Sequence, residues 1–480
     1  MRYPGFVSGT HQSRSPLANV ERTINWYPEN VGDRLVLYPT AGLRTLVNTG
    51  RAPGRAMFFQ NGRAFMVMGD AFQELTATNI VTGWGTVVLD NYPAQIVGNG
   101  VGNQLLVASA GNAYLFDLVT NAFTLVLTGE AHMIAMLDGY FLAFNRATGK
   151  VRFSDLNNGL VWDPLDFFLR SIAPDRWQAM IVNQGRIWLI GEQTGEVWWD
   201  AGGSSIPFAP IPSSVFNFGI VAPWSLVNVG DSVRWLSQTR DGDGIVVSAR
   251  GYRPERISDH ATEYAIASYR KKAQIIDCEA LTYQNVGHTY TSFRFPSADA
   301  TRVYDDATGL WHERATWDAP HAAWHVWRPR VHMMAFGQHL AADGETSLIA
   351  VIDDGIQTDL DGSPIRRVRI PPALHGEGER VFVDRLELFL EPGLAPQPGQ
   401  PYDNPQVLLQ MSYDGGKTWS NERHASAGLT GQYQRRVAWP RCGSGWTVVC
   451  KFTCSDPVPW NVIDCFLDGQ GFAVPRGEAA

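Results

Sequence analysis

Lysine, cysteine and long apolar runs are scarce in this chain of 480 residues. The five cysteines are too few for a disulfide framework, and no apolar run is long enough to span a membrane. The opening MRYPGFVSGT has no apolar signal-peptide core, so we expect folding in a reducing cytosol. A Walker loop, a dinucleotide fingerprint and a nucleophile elbow are also missing. The common sequence signatures of nucleotide-binding proteins and of serine hydrolases are therefore not found.

Positive charge is also in short supply. The chain carries 39 basic and 47 acidic residues, which gives a net charge of −8. This balance argues against a basic surface for nucleic acid. Most of the basic residues are arginine, which is favoured at protein interfaces because its guanidinium presents a fork of donors. A GC-rich genome explains the same bias equally well.

Turn residues and short apolar runs are abundant. Glycine (47) and proline (28) separate strand-like segments, and apolar residues make up 45% of the chain. A unit of turn, strand, turn and strand recurs in residues 61–76, 102–126, 137–156, 183–202, 229–252, 292–316 and 332–355. Its spacing of roughly 35 to 60 residues is typical of propeller blades with variable loops. The sequence therefore predicts an all-β protein with a β-propeller of six or seven blades; stacked β-sandwiches are the alternative.

One segment, residues 256–274, has helical rather than strand spacing. Asp259 can cap its N-terminus, and apolar residues recur at helical intervals after it. Lys271 and Lys272 would then lie at the C-terminal end, where the helix dipole favours cations. We expect a single helix inserted between two blades.

The last quarter of the chain predicts a second β-rich region. Residues 362–378 have the prolines and glycines of a linker, and a proline-rich loop occupies residues 395–405. In WTVVCKFTC (446–454), alternation places Trp446, Val448, Cys450, Phe452 and Cys454 on one face. The expected division is an N-terminal segment, 1–50, which forms an interface or closes the propeller; a propeller, 51–370; and a sandwich-like domain, 371–480.

The stretch SYDGGKTW fits the Asp-box pattern, with Ser412, Asp414, Gly416, Thr418 and Trp419 at its defining positions. Asp-Gly-Gly supplies a turn with positive φ between antiparallel strands, and the carboxylate can accept bonds from turn N–H groups. The motif occurs in many saccharide-cleaving enzymes, but it lies away from their active sites. We therefore predict a structural role for these five residues.

Two groups of residues, four histidines and four cysteines, are of the types that bind metal ions. His321, His325, His332 and His339 fall in one stretch, but their spacing does not place all of them on one face of a strand. Cys442, Cys450, Cys454 and Cys465 include one pair with a gap of four, yet both of its members sit mid-strand. Structural histidines and core cysteines are the expectation, so we predict no metal site, with zinc as the alternative.

An ordered series of motifs resembles the podovirus packaged-DNA stabilisation proteins, also called tail accessory, nozzle or tail hub proteins. The series runs through INWYPE (24–29), LYPTAGL (37–43), LDGYFLAFN (137–145), SDLNNGLVWDPLDF (154–167), APDRWQAM (173–180), IGEQTGEVWW (190–199), IPFAPIP (206–212), GYRPERISDHATEYAI (251–266) and SYDGGKTWSNERHASAGLTGQYQRRVAW (412–439). The similarity covers nearly the full chain.

The resemblance implies a non-enzymatic virion component, with no catalytic residues and no cofactor. Its copies would form a hexameric ring below the head–tail adaptor, assembled in the host cytoplasm. The ring would extend the DNA channel, help retain packaged DNA, let double-stranded DNA pass without sequence specificity, and dock tail fibres, tailspikes or a needle. A net −8 per chain becomes about −48 for six copies, and an acidic wall repels phosphates.

Subunit contacts and rival functions can also be named. The loop 395–405 and the segment 311–327, with Trp311, Trp317, Trp324 and Trp327, are candidate contacts, although the tryptophans could equally form blade core.

A sialidase-like glycan hydrolase is the rival function; it would need three arginines on one anion, a tyrosine nucleophile and an acid. A glycan-binding propeller is the third reading.

Overall fold

Alternating apolar and polar residues between tight turns produce strands β1–β44 and one α-helix in the described residues of the computed structural model. The structure describes residues 1–169, 175–203, 206–270, 275–376 and 378–470. The turns use left-handed residues; Asn61 and Gly62 have φ of 52° and 78°, the combination that a two-residue hairpin turn requires.

The first five strands belong to two different parts of the fold. They are β1 (His11–Gln12), β2 (Val20–Ile24), β3 (Trp26–Val31), β4 (Arg34–Pro39) and β5 (Gly42–Asn48).

Seven successive antiparallel sheets follow, and we call them blades 1 to 7. The strands of blades 1 to 3 are β6 (Gly54–Gln60), β7 (Arg63–Met68), β8 (Ala71–Leu75), β9 (Val81–Thr86); β10 (Gln95–Gly98), β11 (Gln104–Ser109), β12 (Gly111–Asp117), β13 (Phe123–Ala131); β14 (Met133–Leu137), β15 (Tyr140–Asn145), β16 (Lys150–Phe153) and β17 (Phe167–Phe168).

Blades 4 and 5 are built in the same way, except that two short strands of blade 5, β22 and β23, both pair with β24. Their strands are β18 (Trp177–Asn183), β19 (Arg186–Gly191), β20 (Gly195–Asp200), β21 (Phe208–Pro210); β22 (Gly219–Ile220), β23 (Val227–Val229), β24 (Ser232–Thr239), β25 (Gly242–Arg250) and β26 (Arg253–Arg256). A 3-10 turn, Pro223–Ser225, separates β22 from β23.

Blades 6 and 7 are separated by a small hairpin, and a second 3-10 turn, Pro296–Ala298, lies within blade 6. Their strands, with the hairpin β31–β32, are β27 (Glu279–Asn285), β28 (His288–Phe295), β29 (Ala300–Asp305), β30 (Leu310–Glu313); β31 (Ala315–Asp318), β32 (Ala323–Val326); β33 (Pro329–Ala335), β34 (Gln338–Asp343) and β35 (Leu348–Asp353).

The blades close into a wheel. The first strand of each blade contacts that of the next, with β23 serving in blade 5, and β33 of blade 7 returns to β6 of blade 1. The outer strand of blade 7 comes from the N-terminus, because β5 pairs with β35 from Gly42↔Asp353 to Asn48↔Leu348. The expected propeller is confirmed, and within the described ranges it has seven blades.

The inserted helix is also confirmed. Helix α1 (His260–Arg270) lies between blades 5 and 6, and Asp259 Oδ1 accepts the backbone N–H of Thr262 at 2.7 Å as the expected cap. The helix begins directly after the Asp259 cap, at His260. Lys271 and Lys272 lie outside the described residues.

The C-terminal strands form a two-sheet sandwich. They are β36 (Arg367–Ile370), β37 (Leu374–His375), β38 (Val381–Leu390), β39 (Gln406–Ser412), β40 (Arg423–Ser426), β41 (Val437–Pro440), β42 (Ser444–Gly445), β43 (Thr447–Cys454) and β44 (Val462–Gln470). One sheet runs β2-β36-β43-β39-β40 and continues blade 6 through a parallel pairing of β2 with β30. The other runs β3-β4-β44-β38-β41.

The N-terminal residues complete the sandwich core. Tyr3, Phe6, Trp26 and Leu37 pack with apolar residues of residues 374–467 in one buried cluster. The chain thus starts in the sandwich, builds the propeller and returns to the sandwich. The boundaries at residues 50 and 370 stay predictions.

The expected linker 362–378 is wrong in part, since β36 is an internal strand of the first sandwich sheet. Its arginines are buried rather than exposed. Arg369 donates to the carbonyl oxygens of Phe6 (2.6 Å) and Gly9 (3.1 Å) and forms an ion pair with Glu21. A strand with buried arginines looks like a loop in the sequence because charge is normally a surface signal.

Trp446 also departs from expectation. Val448, Cys450, Phe452 and Cys454 are buried as the alternation predicts, but Trp446 is 65% exposed. The reason is a change of sheet: β42 pairs with β38 of one sheet, whereas β43 pairs with β39 of the other. Trp446 lies at the crossing, where the alternation restarts.

Candidate interaction surfaces

The Asp-box residues form a hydrogen-bonded turn after β39. Ser412 Oγ donates to Asp414 Oδ1 at 2.7 Å and accepts the Gly416 N–H at 2.8 Å. Asp414 also accepts the N–H groups of Lys417 (2.9 Å) and Thr418 (3.0 Å) and the Thr418 hydroxyl (2.6 Å). These hydrogen bonds, those from Thr418 foremost, hold the pKa of the Asp414 carboxyl well below its usual range.

The turn is tied to the rest of the sandwich. Trp419 packs against the small cluster that contains Val20 and Val449, and the Lys451 ammonium lies 4.4 Å from its ring centroid. The carboxylate of Asp414 is occupied by turn donors. Such an arrangement fixes a hairpin and leaves little capacity for a ligand.

The arginines at the hub of the wheel are already paired. Arg330 Nε lies 2.9 and 3.0 Å from the two carboxylate oxygens of Glu279, and Arg294 Nη1 lies 3.3 Å from the same group. Arg55 pairs with Asp90 and donates to the carbonyl oxygen of Tyr92 at 2.9 Å. A saccharide carboxylate would have to displace these acids to engage the three guanidinium groups.

A tunnel follows the axis of the wheel. The first strands of the blades line a cavity of about 630 Å³, and most of its wall is apolar. Its polar residues include Gln95, Asn228, Arg330 and His332. At about 30 Å³ per water molecule, this volume holds roughly 21 waters. The cavity is therefore far smaller than the volume that a DNA duplex occupies. Duplex DNA therefore does not fit through a single propeller.

The four histidines do not converge. His321 and His325 share Asp318, whose Oδ2 lies 2.6 Å from His321 Nδ1 and 3.6 Å from His325 Nε2. His325 Nδ1 also lies 3.3 Å from Asp299. His332 Nε2 and His339 Nδ1 lie 3.1 Å apart on neighbouring strands of blade 7. Burial and the adjacent His339 lower the pKa of His332 to about 4.

The cysteines of the sandwich are buried and free. Cys442, Cys450, Cys454 and Cys465 belong to the sandwich core. Burial raises the pKa of the Cys450 and Cys454 thiols, which keeps both protonated in the sandwich core. In the described part of the chain, no group of three or more His, Cys, Asp or Glu side chains is arranged to hold a metal ion.

The expected contact segments differ in accessibility. Trp311 and Trp327 are buried in blade cores, so they are unavailable to a neighbour, whereas Trp317 and Trp324 are half-buried and pack edge to face at 4.8 Å. Residues 397–402 of the proline-rich loop are exposed. No contact with another chain tests either segment.

Sequence reasoning missed two surface features. The first, which we call the acidic loop, is residues 154–169, which follow β16 of blade 3 and include the short strand β17. It contains three aspartates and no lysine or arginine. Several of its aliphatic side chains are exposed: Leu156, Leu160, Val161, Leu165 and Leu169.

The second feature, which we call the basic edge, is residues 423–441 on the sandwich. It contains four arginines and no carboxylate residue. Tyr433 is 70% exposed, and Arg435 and Arg441 of the same stretch are also exposed. The absence of acidic residues from this stretch indicates a local positive charge. The net charge of the whole chain, which is negative, does not reveal it.

In the described residues, no helix is long and apolar enough to cross a membrane. No curated protein matches the chain.

Solved propeller structures resemble the chain at low identity. The N-terminal domain of Nup159 is 9% identical, covers 72% of this chain and 99% of its own, and gives a TM-score of 0.40. The Neurospora crassa Pan2 WD40 domain is 10% identical over 68% of this chain and 98% of its own, at 0.41. YCF48 from Cyanidioschyzon merolae is 10% identical over 65% and 99%, at 0.39.

Family models account for nearly the whole chain. The β-propeller of bacteriophage P22 Gp10 matches residues 24–357, and the β-sandwich of the same protein matches residues 366–470. The two matches follow the order of the motifs in the sequence and the two parts of the fold. The chain therefore belongs to the bacteriophage P22 Gp10 family of structural phage proteins, which stabilise packaged DNA.

Proposed function

We propose that the chain is a nozzle or hub component of a short phage tail. Its copies form a hexameric ring below the head–tail adaptor, extend the DNA channel and help retain the packaged genome. The family match over both the propeller and the sandwich is the observation that carries this proposal. The distal side of the ring docks fibres, tailspikes or a needle.

The geometry supports a channel between copies. The axial tunnel of one propeller is too small for a duplex, so DNA passes through the opening of the ring instead. A net charge of −8 per chain favours a wall that repels phosphates and lets DNA slide. The propeller is suited to this role because its strands are paired and its shape is rigid.

Particles produced without this chain provide the test. We expect heads that package DNA and then lose it, measured as nuclease-sensitive DNA and empty heads in the electron microscope. Supplying the wild-type chain in trans should restore full particles. Particles that lack the chain yet keep their DNA and infect normally would contradict the proposal.

The hydrolase reading is tested separately. Incubation of the purified chain with fluorogenic glycosides and lipopolysaccharide should give no turnover. Turnover lost in Arg330→Ala but kept in the exposed-site control Arg253→Ala would instead favour an enzyme.

A further inference from the structure

The acidic loop presents apolar side chains from a rigid frame. Gly159 donates its N–H to Gln104 Oε1 at 2.9 Å, and Trp162 Nε1 donates to the Gly159 carbonyl at 2.8 Å. Arg152 binds the carbonyl oxygens of Trp162 (3.3 Å) and Asp163 (3.2 Å) from below. Leu165 is nevertheless 80% exposed. An ordered loop that holds aliphatic side chains in water is typical of a surface that binds another protein.

The loop is also negatively charged. Asp166 donates its N–H to the carbonyl oxygen of Asp163 at 3.1 Å. Burial, followed by the charges of Asp163 and Asp155, raises the pKa of the Asp166 carboxyl. Asp155 and Asp163 are exposed. A partner for this surface should therefore combine apolar or aromatic groups with positive charge.

The basic edge has those properties. Arg436 and Arg385 share the single carboxylate of Glu387, with Arg436 Nε and Nη2 both 2.6 Å from its oxygens. In the described residues, Arg435 and Arg441 lie within 4.0 Å of no carboxylate. Tyr433, two residues before Arg435 in the same stretch, is an exposed aromatic group, and tyrosine and arginine are residue types favoured at protein interfaces.

The two surfaces lie at opposite ends of the molecule. The sandwich extends from blade 6, and β40 is the fifth strand outward from β30, about 24 Å away at 4.8 Å per strand. The basic edge surrounds β40 and β41, which contact each other at that far margin. Blade 3, which carries the acidic loop, is three blades from blade 6 in one direction and four in the other.

We propose that the acidic loop of one copy docks on the basic edge of the next. Two complementary surfaces at opposite ends of a subunit make a heterologous contact, and such a contact closes a ring when the rotation between copies permits it. This inference rests on the proposed function and identifies the surfaces through which that ring closes. The occupant of each surface is a second copy of this chain.

Charge reversal on both surfaces tests the pairing. Full-length protein is assembled on its head–tail adaptor ring at physiological salt, and occupancy is measured by native mass spectrometry and negative-stain microscopy. Arg435→Glu with Arg441→Glu, or Asp155→Arg with Asp166→Arg, should each weaken assembly at least about tenfold, because like charges then face each other. Combining all four substitutions should restore assembly to within about threefold of wild type.

Two further variants control this experiment. Arg250→Glu with Arg253→Glu reverses two exposed charges on blade 5, and ring formation should not change. Leu165→Asp should abolish assembly while the monomer keeps its wild-type unfolding transition, since this side chain is exposed in the single chain.

The outcomes separate the inference from the function. Wild-type rings that tolerate either reversal, or that the fourfold combination does not restore, overturn the inference and leave the tail role standing. Intact rings that lose DNA on reversal of the basic edge would overturn it in favour of a phosphate-binding surface. A wild-type chain that forms no ring refutes both the proposed ring and the inferred contact.

Discussion

Single side chains in this protein act mainly by satisfying buried backbone groups. Ser412 is buried and connects Asp414 with the Gly416 N–H inside the Asp-box turn. Arg369 likewise donates hydrogen bonds to carbonyl oxygens of the N-terminal segment. Such residues stabilise the fold, since their hydrogen-bond donors and acceptors are already paired within the protein.

Ser412→Ala should lower the free energy of unfolding of the sandwich by about 1 kcal/mol, because the buried hydroxyl that joins the two ends of the turn is lost. Urea denaturation followed by tryptophan fluorescence measures the change. The exposed Ser15→Ala is the matched control and should unfold like wild type. Equal stability of Ser412→Ala and the control would show that the Asp-box does not hold this hairpin.

Residue patterns predicted some of these roles better than others. The Asp259 cap followed from a side-chain type at a helix start, and the turn at Asp414 matched its motif. The burial of Arg369 did not follow, because its partners lie in the first 25 residues, more than 300 positions away. A single sequence carries no sign of such a pairing.

Among the structural elements, the junction of propeller and sandwich is the most informative. Glu313 on β30 accepts two hydrogen bonds from Arg22 on β2, at 3.0 and 2.7 Å. Burial alone would raise the pKa of this carboxyl, but Arg22 and the neighbouring Arg302 lower it to about 2. The ion pair between Glu313 and Arg22 thus connects the propeller to the sandwich.

This junction should weaken in acid. Since the folded-state pKa of Glu313 is depressed, its contribution is fully present above the ordinary carboxyl pKa of 4.5 and decreases as the pH falls toward 2. The contribution is on the order of 3 kcal/mol. Stability measured by urea denaturation should fall less steeply over this pH range in Glu313→Gln than in wild type. Parallel pH profiles of the two proteins would contradict this assignment.

Strand and turn patterns predicted which segments form strands, but they did not predict every strand pairing. Repeated hairpins predicted the blades because each blade is local in sequence. The pairing of β2 with β36 and β30 is not local, and the proline- and glycine-rich flanks of β36 suggested a linker. Likewise, the exposure of Leu165 depends on how blade 3 packs its outer loop, which periodicity does not report.

At the scale of the whole molecule, the N-terminal segment joins both halves. Strand β5 supplies the outer edge of blade 7, and Tyr3 and Trp26 fill the sandwich core. The wheel and the sandwich therefore depend on the same 48 residues. Sequence reasoning anticipated that this segment could close the propeller, but not that it also completes the sandwich.

Removal of residues 1–49 should disrupt both parts. The truncated chain would leave the edge of β35 unpaired and a cavity in the sandwich core, so we expect loss of cooperative unfolding and of near-ultraviolet circular dichroism. Adding the missing segment as a separate peptide should recover part of the signal. A truncated chain with a wild-type spectrum and a sharp unfolding transition would refute this dependence.

The central claim is that this chain serves a phage as shape and surface rather than as a catalyst. Electron cryo-microscopy of purified particles, at a resolution that resolves blades, tests it most directly. We predict a ring of propeller–sandwich subunits in the tail below the head–tail adaptor, with DNA in the shared opening. Particles whose tails contain no copy of the chain would contradict the account.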